Sequence, residues 1–143
     1  MESVRGRRVN GYLLDASIVS ELIKRHPNRP VLKWLESEPE TWLSALVIGE
    51  LTRGAQMLSS RSPERAIRLE RWIRGLRDEY RGRVLVVEEA VALRWASITS
   101  ERTLPAIDGF IAATALEHGL TVATRNTQVF HGTGVDTHNP FGD

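Results

Sequence analysis

The chain has 143 residues, a formal net charge of +1 and no cysteine, so a disulfide framework and thiolate metal sites are excluded. Its length suits one domain, residues 1–143, with a core of its own, and its composition suits a reducing cytoplasm. Its apolar runs are too short for a signal-peptide core or a membrane span.

Residues 1–8, with Arg5, Arg7 and Arg8, read as a frayed basic lead-in. Tyr12-Leu13-Leu14 is the kind of short apolar run that forms a buried parallel strand, and Asp15 stands at its end. Ligands of open parallel sheets bind just beyond such strand ends, while Asp is also a good N-cap for a following helix. Ile18, Val19, Leu22 and Ile23 space that helix as far as Lys24. Pro27-Asn28-Arg29-Pro30 breaks it, and a second helix runs from Val31 to Glu38, stopped by Pro39. Glu21 reads as a solvated or salt-bridged helix residue.

Thr41-Trp42-Leu43 predicts a second strand, and Ser44 an N-cap for a helix to about Leu58. Its core stripe is Leu43, Val47, Leu51 and Gly54 or Leu58. Glu50 interrupts this apolar neighbourhood, where a carboxylate is costly unless it meets a cation or a donor. It is a site acid or the buried partner of an arginine such as Arg53. Ser62-Pro63-Glu64 then opens a helix with a capping hydroxyl, a proline and an acid in the first turn. Leu69, Trp72, Ile73, Leu76 and Tyr80 form its apolar stripe. Arg61, Arg65, Arg68, Arg71, Arg74, Arg77 and Arg81 lie on its other side, either laced by Glu64, Glu70, Asp78 and Glu79 or free to meet RNA or protein.

Val84-Leu85-Val86-Val87 predicts another strand, and Glu88 and Glu89 fit the first turn of a helix carrying Val91, Trp95 and Ile98 at core spacing. Pro105 opens the next helix, whose alanines allow close packing on a sheet and whose Gly119 suits a left-handed cap. Asp108 falls in its first turn, where helix-end electrostatics and a site role both explain it. Leu120 to Thr124 predicts a further strand closed by Thr124-Arg125-Asn126, and the tail from Gly132 to Phe141 a turn and a last edge strand. The alternation argues for an α/β sandwich with helices on both sides of a four- or five-stranded, mainly parallel sheet. The four histidines lack metal-site spacing, and there is no Gly-rich phosphate loop, nucleophile elbow or dinucleotide fingerprint.

Asp15, Glu50 and Asp108 are the acids that such a sheet would bring to one rim. Carboxylates gathered there repel each other unless a cation sits between them, and all-oxygen ligation favours Mg²⁺ or Mn²⁺. Water activated by such an ion can attack a phosphodiester.

Four segments, in order, add a resemblance. Leu14-Asp15-Ala16-Ser17; Ser44 to Leu51 with Gly54; Ile107 to Ala115; and Thr124-Arg125-Asn126 with Phe130 and Gly132-Thr133-Gly134-Val135 resemble the PIN-domain toxins of VapBC type, including the FitB-like branch. The resemblance spans roughly Tyr12 to Phe141. It implies a three-layer α/β/α PIN-like sandwich and a Mg²⁺- or Mn²⁺-dependent endoribonuclease. It further implies a homodimer, held inactive by a cognate antitoxin whose C-terminal segment lies over the acidic site, with DNA reached only through that antitoxin. Asp15, Glu50 and Asp108 match the family's metal-binding, catalytic acids. Ser17 matches the residue supporting the first acid by hydrogen bonding, and Asn126 the polar residue after the third strand. Arg125 beside it is a candidate contact for RNA.

One departure stands out in the last motif. The family often has an acid immediately before the phenylalanine matching Phe130, and this chain has Val129. Three carboxylates still suffice for one ion, but a second ion or a general base lacks its residue. The alternative reading is therefore a degenerate, catalytically weak PIN domain that pairs with an antitoxin in a DNA-bound repressor complex. A DNA nuclease of the wider superfamily is disfavoured, since no extra arch or domain for threading a flap is present.

Overall fold

The structure, a computed structural model, describes residues 11–143; the basic lead-in expected at residues 1–8 lies outside them. Leu13, Leu14, Leu43 and Val122 are at most 1 % exposed. Strands this apolar must be covered on both faces, which is the condition for a parallel sheet between helical layers. The chain meets it in the order β1 (Gly11–Leu14), α1 (Ala16–Ile23), α2 (Arg29–Glu36), β2 (Glu40–Ser44), α3 (Ala45–Leu58), α4 (Pro63–Glu79) and β3 (Val84–Leu85). There follow α5 (Glu89–Thr99), α6 (Ala106–His118), β4 (Thr121–Ala123), a 3-10 turn (Thr127–Phe130) and β5 (Thr137–His138).

The sheet runs β3-β2-β1-β4-β5, and every neighbouring pair is parallel. From β1 the chain steps to β2 and then β3 on one side, and returns across the sheet to β4 on the other. Because parallel crossovers are right-handed, this reversal puts α1 to α4 on one face and α5 and α6 on the opposite face. The packing agrees: α3 meets α4 and α1, while α5 meets α6. The reversal also creates a switch point between β1 and β4, the place where open α/β sheets leave a crevice for ligands.

Several elements differ locally from the sequence expectation. The strand expected over Val84 to Val87 ends at Leu85, leaving Val86 and Val87 59 % and 38 % exposed. Its partner β2 supplies only Leu43 and Ser44, and Ser44 then turns to cap α3, so no ladder remains to extend β3. The stripe of α3 runs through Val47, Leu51 and Ala55, not Gly54 or Leu58, because a four-residue step from Leu51 lands on Ala55. Pro27-Asn28-Arg29-Pro30 both breaks α1 and starts α2: the Asn28 side chain accepts from Val31 N and Pro30 sits in the first turn, where its missing N–H costs nothing. That helix ends before Pro39, at a Ser37 cap followed by Glu38 with φ 57°. Ser62 precedes α4 without making a side-chain cap bond. Gly119 takes the left-handed cap of α6 at φ 67°, as expected.

Candidate active site

Each of the three acids reaches the carboxyl rim by a different local device. Asp15 follows the last residue of β1, and its backbone N–H donates to Ala123 O of β4 at 3.1 Å, which ties it to the switch point. Its Oδ1 accepts from Ser17 N at 2.9 Å and from Ser17 Oγ at 2.5 Å. Asp15 is thus the N-cap of α1 and a rim carboxylate at once; the two readings of the sequence were not alternatives. Ser17 Oγ also accepts from Arg125 N at 3.1 Å, so one hydroxyl joins the ends of β1 and β4.

Glu50 stands in the second turn of α3, and Asp108 in the first turn of α6. Both helices lie antiparallel to the strands they pack on, so α3 begins, like α6, at the carboxyl rim. Asp108 is half-buried, whereas Glu50 is exposed. That corrects the expectation of a carboxylate pressed among apolar groups. Glu50 falls about 100° from Leu51 around the helix, away from the buried stripe. Nor does it pair with Arg53: among the described residues no ion pair joins them.

What Glu50 meets is other carboxylates. Although the residue as a whole is exposed, water lost around its carboxyl, then the charges of Asp108 and Asp15, push Glu50 above the usual carboxylate range. Burial, then Asp15, does the same to Asp108. The three acids are therefore near enough to feel one another, and no basic side chain neutralises them among the described residues. Among those residues, too, no group of three His, Cys, Asp or Glu side chains is close enough to hold a metal ion. The donor set fits a hard ion that keeps part of its water shell and takes only one or two carboxylates directly, as Mg²⁺ does.

The other expected residues fall as follows. Asn126 is exposed just beyond β4; its backbone N–H donates to Thr124 Oγ1 at 3.0 Å, and its side-chain amide makes no hydrogen bond among the described residues. Arg125 does not point freely to solvent. Its Nε and Nη2 donate to Asp143 Oδ2 at 3.0 and 2.8 Å, and its guanidinium lies 4.6 Å from the Phe141 ring centroid. A contact across eighteen residues has no local signal in the sequence. Val129 packs against the hydrophobic core beside buried Phe130, so the position where an acid is common holds an anchoring apolar contact. Glu21, expected to be solvated or salt-bridged, is 5 % exposed, bonded to Lys24 Nζ at 2.6 Å and to Asn28 N at 2.8 Å. The Lys24 bond holds its carboxyl below the usual range.

The chain folds around a five-stranded parallel sheet with three acids at its carboxyl rim, and residues 12–134 match the family described as the PIN domain. The chain belongs to the PIN-domain family. Within it, the similarity is to toxins of the FitB and VapC kind. Toxin FitB of Neisseria gonorrhoeae is 38 % identical over 140 residues, 92 % of this chain and 99 % of that protein. VapC ribonuclease Y4jK of Sinorhizobium fredii is 35 % identical over 136 residues, covering 90 % and 96 %. The crystal structure of FitAcB from Neisseria gonorrhoeae aligns with a TM-score of 0.69 at 34 % identity, over 92 % of this chain and 99 % of that one. DNA-bound VapBC from Salmonella typhimurium, at 23 % identity, shares the fold with a TM-score of 0.74 over 91 % and 98 %. Among the described residues no helix is long and apolar enough to cross a membrane.

Proposed function

We propose that the chain is the toxin of a VapBC-like toxin–antitoxin system, a Mg²⁺- or Mn²⁺-dependent endoribonuclease acting in the cytoplasm. The observation that supports this reading is that Asp15, Glu50 and Asp108 stand at one rim and feel one another's charge, with no basic side chain ion-paired to them among the described residues. Similarity to proteins named Toxin FitB and VapC ribonuclease supports it.

In this reading Asp15, Glu50 and Asp108 would hold the ion, directly or through its waters. Bound there, the ion supplies an acidified water and a positive charge facing the phosphate. Ser17 keeps Asp15 Oδ1 oriented through its short hydrogen bond. Asn126, exposed just beyond β4, would donate its amide to a phosphate or a nucleophilic water. Arg125 contacts the RNA backbone once Asp143 gives way. The substrate is an exposed single-stranded loop of a structured RNA, where the backbone can enter the rim. The protein works as a homodimer, is silenced by a cognate antitoxin laid over the acids, and reaches DNA only through that partner.

The test is cleavage of tRNA and single-stranded RNA by purified protein with Mg²⁺ or Mn²⁺, compared with Asp15→Asn and Asp108→Asn. Each substitution should slow cleavage on the order of a hundredfold or more and relieve toxicity on expression. Wild-type protein that cuts no RNA with either ion, together with variants that remain as toxic, would sink the proposal. A second reading has one observation in its favour, the apolar anchoring of Val129. In that case the chain is a degenerate domain that binds an antitoxin tightly and no Mn²⁺, which calorimetry distinguishes.

A further inference from the structure

The root of Asp108 is held by a contact that the chemistry above leaves unused. Helix α6 begins at Pro105 with no side-chain cap, so capping does not fix its first turn. Beside Asp108, Gly109 is buried, and a Cβ there would lie 3.0 Å from both Cδ1 and Nε1 of Trp95 and 3.5 Å from Cγ2 of Thr99. The indole of Trp95, on α5, therefore rests on bare backbone one residue from the acid. It also stacks on Phe110, with ring centroids 4.8 Å apart and planes 10° from parallel. Thr99 Oγ1 donates back to Trp95 O at 2.8 Å, which braces the last turn of α5 in the same contact.

Nothing polar holds the ring. Trp95 Nε1 is buried and has no hydrogen-bond partner among the described residues. With no hydrogen bond made through its N–H, what the indole contributes at this contact is its shape. Shape is what fixes a helix's rotation: one residue is about 100° around the axis, and a small roll of α6 would swing the Asp108 carboxylate away from its neighbours.

We infer that Trp95 is a positioning residue: its indole, seated on Gly109 and stacked on Phe110, sets the rotation of the first turn of α6 that aims Asp108 at Asp15 and Glu50. The inference rests on the reading of those acids as a divalent-ion site. It follows that shape at position 95, not the indole N–H, governs ion affinity.

The experiment is calorimetric titration of the full chain with Mn²⁺ alone, with circular dichroism confirming that each variant is folded. Trp95→Ala and Gly109→Ala should bind Mn²⁺ about tenfold to a hundredfold more weakly, the usual cost of losing support behind a ligand. Trp95→Phe keeps the stack and removes the orphaned N–H, so it should bind near the wild-type value. Placed with Gly109→Ala, it should restore part of the lost affinity by making room for the new methyl. If Trp95→Ala fails to fold, Gly109→Ala and its double variant decide. Folded variants that bind Mn²⁺ as well as wild type overturn the role of Trp95 alone, since a merely structural contact would leave affinity unmoved. A wild type that binds no Mn²⁺ overturns the ion site and this role with it.

Discussion

At the scale of single residues, two carboxylates have opposite effects on stability. Asp108 has a folded-state value raised above the ordinary 3.8 by burial and by Asp15. Its charged form is the disfavoured one, so it opposes folding at neutral pH, and the penalty vanishes as pH falls below the ordinary carboxylate range. Asp108→Asn should therefore raise the melting temperature of metal-free protein at pH 7 and leave it unchanged near pH 3, while abolishing cleavage. Glu21 has its value lowered from 4.5, so its contribution is present at neutral pH and lost as pH falls through the folded value. Glu21→Gln should cost on the order of 1 kcal/mol at pH 7, from its charged hydrogen bonds, and little in acid. Urea titrations at the two pH values check both signs, and a parallel response of the two variants would contradict the picture. Both acids were visible in the sequence as isolated carboxylates in helices. Glu21's partner Lys24 lies three residues on and was within reach of the sequence, whereas the burial of Asp108 and its closeness to Asp15 were not, because they are set by how α6 is placed.

At the scale of elements, the apolar runs and their punctuation carried most of the fold. Tyr12-Leu13-Leu14, Thr41-Trp42-Leu43 and the run to Ala123 became strands because their residues suit burial on both faces, and Gly119 closed α6 because φ 67° is strained for any residue with a Cβ. Gly119→Ala should accordingly lower stability by about 1 kcal/mol in a urea titration, without altering ion binding. The end of β3 was not legible, since it depends on where its neighbour β2 leaves the sheet. The 3-10 turn at Thr127–Phe130 hid a second such dependence. From its position alone Val129 reads as a lost ligand, yet it packs on the core beside Phe130. Val129→Asp should then half-bury a carboxylate at a cost of about 1–3 kcal/mol and fail to increase cleavage. A variant of unchanged stability with faster cleavage would show that the turn readily swings this position to the rim.

At the scale of the whole molecule, the uncompensated acids make one end of the sheet a place where positive charge is in demand. A divalent ion can meet that demand, and so can a basic segment of a partner. The two should exclude each other, because both are held by the same repelling carboxylates. We expect an arginine of the antitoxin to reach this cluster, since its planar fork pairs two-pronged with a carboxylate. Replacing the acids one at a time by Asp15→Asn, Glu50→Gln and Asp108→Asn should weaken partner binding by roughly 1–3 kcal/mol each, the range for charged hydrogen bonds. Mn²⁺ should weaken it for wild type but not for the variants. Calorimetry at low and high ionic strength separates this from contact elsewhere on the surface: the acid-dependent part should shrink as salt screens the exposed Glu50. Partner affinity indifferent to all three substitutions and to Mn²⁺ would mean that the antitoxin silences the protein without touching the acids, by covering the approach of RNA instead.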